Sequence, residues 1–202
     1  MLRYTLTSRA LFPGNEQEKQ AALLDQTARW VASGVDFIQL REKDLPAAAI
    51  CALASMMLKI INLAAIPAKL LINSRPDVAI AAGADGVHLT AAPGELTPAQ
   101  VRDLYAAAGL PAPVITISCH TIAEVTRARD HCVDAIHFAP VFEKPLPGQP
   151  ALPGQGLDRL RSACLAAAPT PVCALGGITL ENAPACLQAG AAGFAGIRLF
   201  HG

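Results

Sequence analysis

Residues 174–197 read ALGGITLENAPACLQAGAAGFAGI. A short apolar run stops at Gly176-Gly177, a stretch of helical composition follows, and Gly190 leads into the β-favouring run Gly193–Ile197. The stretch therefore reads as a strand, a turn, a helix and a second strand. Its helix-to-strand step has a near copy earlier in the chain, AGADGV at 82–87 against AGAAGF at 189–194. Glycine suits the position just past a helix end, where positive φ is favoured, so both phrases mark αβ turns and structure alone explains them.

Outward from this stretch the same alternation continues. Eight β-favouring runs stand out, at Tyr4–Thr7, Asp36–Arg41, Lys69–Asn73, Gly86–Leu89, Val114–Ser118, Ala135–Pro140, Pro171–Leu175 and Gly193–Ile197. Between them, segments such as Glu18–Ala32 and Thr121–His131 place apolar residues at helical spacing. Strands that alternate with helices predict a parallel sheet under crossover helices. Eight such runs predict an α/β fold closed into a (β/α)8 TIM barrel. An open doubly wound sheet is the alternative, although such sheets more often hold about five to seven strands. The length of 202 residues suits one barrel domain spanning 1–202.

Composition bounds the function classes. The chain is 52% hydrophobic, which supplies a packed core and argues against disorder. Lys+Arg and Asp+Glu both number 16, so no net charge draws the chain to nucleic acid. No apolar run approaches the ~18 residues of a membrane span, and the N-terminus lacks a signal-peptide pattern. The six cysteines form no CxxC pair or framework and read as buried free thiols. A reducing, cytoplasmic setting is expected, with no nucleic-acid or membrane partner.

In such barrels chemistry sits at the C-terminal strand ends. The second run ends in Gln39-Leu40-Arg41-Glu42-Lys43-Asp44; if the strand persists, alternation sends Gln39, Arg41 and Lys43 to one side as donors for an anionic or carbonyl-rich ligand. A solvated, self-neutralising turn is the competing reading. The third run ends in Asn73-Ser74-Arg75-Pro76-Asp77, where Arg75 and Asp77 can pair locally and Asn73 is left for the site. The fifth ends in Ser118-Cys119-His120-Thr121. His120 is the acid/base candidate, since imidazole titrates near neutrality. Cys119 faces away from it by alternation, and Thr121 with Glu124 forms a capping box. Turns after the seventh and eighth barrel strands often hold phosphate on backbone N–H groups, so Gly176, Gly177 and Arg198 are candidate phosphate ligands.

Two segments depart from regularity. Phe142–Gly156, FEKPLPGQPALPGQG, reads as a long exposed loop and a candidate lid. The chain also ends at His201-Gly202, about where an eighth helix would begin, so the barrel is expected to lack its final helix, with a partner subunit over that flank as one remedy.

Five stretches in order, FIQLREKD at 37–44, LLINSRPDVAIAAGADGVHLT at 70–90, ISCHTIAEV at 117–125, IHFAPVFEKP at 136–145 and ALGGITLENAPACLQAGAAGFAGI at 174–197, together resemble the thiamine phosphate synthase/TenI family. The resemblance implies a (β/α)8 barrel, usually a homodimer, acting on a thiazole phosphate in thiamine biosynthesis. Two activities divide the family. The synthase joins a pyrimidine diphosphate to the thiazole phosphate, with Mg2+ assisting loss of diphosphate; the TenI-type enzyme tautomerises a carboxythiazole phosphate without metal.

The synthase pattern has an aspartate after the Asn of the third strand and acids after the HL of the fourth, where this chain has Ser74 and Thr90-Ala91-Ala92. Its Thr-Pro-Thr-Lys run after the sixth strand is replaced by Glu143-Lys144-Pro145. The TenI-type catalytic His matches His120. The leading expectation is therefore a tautomerase with His120 moving the proton, Gly176, Gly177 and Arg198 on the phosphate, Arg41 and Lys43 on the carboxylate, and Gln39, Asn73 and Ser118 as polar contacts. No cofactor is expected, with Mg2+ only for the synthase. A divergent synthase and a non-catalytic phosphate-binding domain are the alternatives.

Overall fold

In a computed structural model, residues 1–90, 92–146 and 149–200 are described, with backbone alone for 144–146, 149 and 150. Eight parallel strands close into a barrel. They are β1 (Leu2–Leu6), β2 (Phe37–Leu40), β3 (Lys69–Asn73), β4 (Gly86–Leu89), β5 (Val114–Cys119), β6 (Ala135–Phe138), β9 (Val172–Ala174) and β10 (Gly193–Gly196). Helices α1 (Glu16–Ala32), α2 (Ala47–Ile61), α3 (Pro76–Ala82), α4 (Pro98–Ala107), α5 (Ile122–Asp130), α6 (Gly156–Ala167) and α7 (Ala183–Gln188) form the outer layer.

Local chemistry starts and stops these elements. Asn15, Thr97 and Thr121 each accept the N–H of the third helical residue, while Glu18, Gln100 and Glu124 reach back, giving capping boxes at α1, α4 and α5. Pro76 opens α3, and Gly83 closes it at φ +69°. The glycines that begin β4 and β10 answer a different need. A Cβ at Gly86 would strike the Val114 carbonyl and one at Gly193 the Leu2 carbonyl, so the tight approach of neighbouring strands requires them.

Register is pinned at the opposite end by three aspartates that precede alternate strands. The carboxylates of Asp36, Asp85 and Asp134 accept from the backbone N–H of Arg3 (2.8 Å), Leu70 (2.9 Å) and Ile115 (2.7 Å) on the preceding strand. The larger apolar core lies between strands and helices, with Leu23, Trp30, Leu53, Val87, Ile136 and Leu160 in it. A smaller cluster of Tyr4, Leu6, Leu71, Cys173 and Ala195 fills the barrel axis.

Several expectations need correction. Strand β2 stops at Leu40 instead of running through Arg41, so alternation does not carry on to Lys43. The 142–156 segment is not wholly irregular: β7 (Lys144–Leu146) pairs antiparallel with β8 (Gln149–Leu152), while residues 147–148 of the expected lid lie outside the described residues. Its return is tied down, as Gln155 N and Gly156 N donate to the Pro140 and Val141 carbonyls at 2.9 Å each. The cysteines are all free, but only Cys119, Cys173 and Cys186 are buried; Cys132 is exposed in the turn that ends α5. The terminal His201-Gly202 lies outside the described residues. No described helix is long and apolar enough to cross a membrane.

Candidate functional site

Inward-facing side chains at the C-terminal end of the barrel are polar, and beneath them buried polar side chains share the axis with the smaller apolar cluster. Gln39 is buried and its Nε2 donates to Asn73 Oδ1 on the adjoining strand at 2.8 Å. Asn73 Nδ2 in turn donates to Ser74 Oγ at 3.2 Å. Ser74 holds φ +55°, an uncommon conformation for a residue with a side chain, at the point where β3 turns into α3. Two expected site residues, Gln39 and Asn73, are thus brought together.

Arg41 follows β2 and is half-buried, its N–H donating to Thr7 Oγ1 at 2.9 Å. The chain turns here because Glu42 is drawn inward. Thr7 Oγ1 donates to Glu42 Oε1 at 2.6 Å, and Arg9 Nη1 lies 3.0 Å from Glu42 Oε2. Arg9 also reaches Glu16 (2.7 Å) and Asp44 (2.5 Å), and its hydrogen bonds hold both carboxyls below their ordinary range. The competing reading of a self-neutralising turn is half right. Its acids are neutralised, but by Arg9 from β1's loop, which leaves Arg41 for the mouth. Lys43 is exposed beyond the turn and is not brought to the others.

From β5, Ser118 and His120 share the inward side, and Cys119 points into the helix-side core, where burial pushes its thiol up to about 12. His120 is exposed at the mouth, with Nδ1 2.8 Å from the Ala139 carbonyl. A carbonyl only accepts, so Nδ1 carries a proton and Nε2 is the nitrogen left for a ligand. Ser118 Oγ lies 2.9 Å from His88 Nε2, and His88 Nδ1 lies 2.8 Å from Thr116 Oγ1. His88 is buried; burial, then His137, then Arg41 hold its pKa well below the ordinary value, so it is neutral at pH 7. Arg41 thus acts on the same space.

Across the mouth, Gly176 and Gly177 follow β9 with φ +92° and +65°. Their carbonyls are used, Gly176 accepting from Phe142 N at 3.0 Å and Gly177 from Asn182 Nδ2 at 2.9 Å. Among the described residues no carbonyl accepts from their N–H groups, which is the arrangement an anion-binding turn requires. A Cβ at Gly176 would come within 2.6 Å of Pro140 Cβ, and one at Gly177 within 2.6 Å of the Glu143 carbonyl. Arg198 stands exposed just past β10. A cleft of about 1020 Å³ opens at the opposite end of the barrel around Leu2, Phe37 and Lys69, away from these groups. Polar strand ends mark the site better than cavity size does.

The mouth offers a poor Mg2+ site. That ion takes hard oxygen ligands, usually with carboxylates among them. The ends of β3 and β4 supply Asn73, Ser74 and Thr90 instead. Glu95 folds back on Thr90, accepting from its N–H and hydroxyl at 2.6 Å each, and Glu124 caps α5. Among the described residues no three His, Cys, Asp or Glu side chains cluster, and the amide and hydroxyl oxygens at these strand ends do not fit the usual carboxylate-bearing Mg2+ site. Ala91 lies outside the described residues.

Sequence reasoning did not single out His88, Thr116, Tyr4 or His137, which fill the axis beneath the mouth. For His88, Thr116 and His137 the signal was present in their alternation with apolar neighbours, but both faces of a barrel strand are buried and the pattern does not say which face is the interior.

The family model described as thiamine monophosphate synthase (TMP-TENI) matches residues 11–200. The chain belongs to the thiamine monophosphate synthase family. Within that family it is 37% identical over 170 residues to a thiamine-phosphate synthase of Thermus thermophilus, covering 84% of this chain and 77% of the relative. It is 38% identical over 173 residues to the thiamine-phosphate synthase of Albidiferax ferrireducens, covering 86% and 74%. The thiamine phosphate pyrophosphorylase of Pyrococcus furiosus superposes with a TM-score of 0.77 at 25% identity, over 98% of this chain and 85% of that one. The Thermus and Albidiferax relatives carry the synthase name, so the similarity favours the synthase alternative over the leading tautomerase expectation.

Proposed function

We propose that this chain is a thiamine-phosphate synthase of divergent metal use, joining a pyrimidine diphosphate to a thiazole phosphate with release of diphosphate. The observation that carries the reading is the 37–38% identity, over more than four-fifths of the chain, to relatives with that name. The site is compatible with it. Two anionic substrates need two anion-binding regions, and the donors on the two sides of the mouth can each serve as one. Arg41, with Gln39, Asn73 and Ser118 around it, suits the diphosphate. The N–H groups of Gly176 and Gly177, unpartnered among the described residues, together with Arg198 after β10, suit the thiazole phosphate.

In this scheme the chain's own groups carry the charge of the departing diphosphate. Guanidinium and backbone N–H donors, fixed before the reaction, need no reorganisation as that charge develops. The hairpin β7–β8, next to the Gly177 turn, is placed to exclude water from the joining step. The expected product is thiamine phosphate, detected when both substrates are supplied. Failure to form it, under conditions where the folded protein binds both substrates, contradicts the proposal.

The tautomerase keeps one specific observation in its favour. His120 presents Nε2 at the mouth with Nδ1 fixed on a carbonyl, as proton transfer at a ring carbon requires. Isomerisation of the carboxythiazole phosphate, abolished in His120→Asn, would select it.

A further inference from the structure

Beneath the mouth, four side chains from three strands are linked end to end. Tyr4 Oη lies 3.1 Å from Thr116 Oγ1, Thr116 Oγ1 lies 2.8 Å from His88 Nδ1, and His88 Nε2 lies 2.9 Å from Ser118 Oγ. Tyr4, Thr116 and His88 are buried, at 0%, 0% and 2% exposure. Only Ser118 reaches the mouth.

Proton counting gives this chain a direction. Burial pushes the Tyr4 phenol above its ordinary range, so it keeps its proton. Among the described residues Thr116 is its one hydrogen-bond partner, and a buried donor left without an acceptor is strongly disfavoured. Tyr4 therefore donates to Thr116. The hydroxyl of Thr116 has a single proton and, among the described residues, no partner other than Tyr4 and His88, so that proton is directed to His88 Nδ1 and not left without an acceptor. A neutral imidazole has one N–H; with Nδ1 accepting, it is on Nε2 and is donated to Ser118 Oγ. Ser118 is left with its own proton to give away. The reverse order would strand the phenol proton of Tyr4 inside the barrel.

We propose that Tyr4, Thr116 and His88 are positioning residues that fix the Ser118 hydroxyl as an outward hydrogen-bond donor, dedicated to an oxygen of an anion bound at the mouth. That the anion is the diphosphate of a substrate rests on the proposed function; the direction of the chain does not. Tyr4 reaches the Ser118 hydroxyl through two intermediaries, Thr116 and His88. Its ring also packs on Phe37 (centroids 5.5 Å apart) and His137 (4.1 Å), and Tyr4→Phe keeps those contacts while removing the source of the chain.

The test combines nitrogen NMR of 15N-histidine protein with calorimetry using inorganic diphosphate as the probe. The wild type is expected to hold His88 as the Nε2–H tautomer at pH 7, and Tyr4→Phe to move it toward a mixture. Diphosphate binding is expected to weaken about tenfold in Ser118→Ala and severalfold in Tyr4→Phe, with no further loss when both are combined. An Nδ1–H tautomer in the wild type overturns the proposal. So does equal weakening by Tyr4→Phe with and without Ser118, or absence of diphosphate binding altogether. The tautomer and binding readouts require no turnover, so loss of the synthase reading leaves them interpretable.

Discussion

Gln39 Nε2 donates to Asn73 Oδ1 at 2.8 Å, joining the C-terminal ends of β2 and β3 at the rim of the mouth. The bond fixes the orientation of both amides and leaves Gln39 Oε1 buried without a partner among the described residues. Asn73→Ala removes the only acceptor of the Gln39 amide among the described residues. It is expected to destabilise the fold by about 1–3 kcal/mol and to raise KM for the diphosphate substrate. Thermal unfolding and steady-state kinetics check both; unchanged KM would remove Asn73 from the site.

The Gly-Gly turn supplies a second prediction. Gly176→Ala puts a methyl within 2.6 Å of Pro140 Cβ, at a φ of +92° that alanine disfavours. Thiazole phosphate binding measured by calorimetry should fall by about tenfold or more, with a smaller effect on the diphosphate substrate. Equal losses for both ligands would mean a general collapse of the mouth.

Arg9 and Glu42 form a pair with side chains 7% and 4% exposed, and this pair shapes the Arg41 turn. Glu42→Ala leaves the guanidinium buried without this partner, and breaking such pairs costs about 3–5 kcal/mol. Unfolding in urea should show that loss, together with reduced activity from the displaced Arg41. A stable variant with normal activity would separate the turn from the site.

The buried histidines predict acid sensitivity. His137 is pushed down to about 3 by burial, and His88 is also held low, whereas in the unfolded chain each titrates near 6.5. Below that value the unfolded chain binds protons that the folded one does not. Stability is then full above pH 6.5 and falls as pH drops, by up to about 1.4 kcal/mol per pH unit for each histidine. The lowered carboxyls of Asp44 and Glu16 add a further loss below about pH 4. Tm measured from pH 7 to 4 should decline, and the decline should be shallower in His137→Leu. A flat Tm over that range contradicts the neutral buried pair.

Much of the barrel was legible because its signals are local. Lys69–Asn73 and Gly86–Leu89 coincide with β3 and β4, and the capping box at Thr121 is present. The errors arose where a distant partner decides. Nothing near residue 42 announces Arg9, yet that pair ends β2 at Leu40 and turns Lys43 outward. Ser118 and Asn73 could be placed from strand ends alone. The Tyr4–Thr116–His88 chain that supports Ser118 spans residues far apart in sequence, and its direction follows only from counting protons in three dimensions.

The central claim is tested by incubating the protein with a pyrimidine diphosphate and a thiazole phosphate, with and without EDTA, and by repeating the assay with His120→Asn. Thiamine phosphate is expected from the wild type, with His120→Asn retaining it to within about tenfold, since loss of a proton-transferring histidine would cost about a hundredfold or more. Isomerisation of a carboxythiazole phosphate by the wild type, with no thiamine phosphate formed and all activity lost in His120→Asn, would contradict the account.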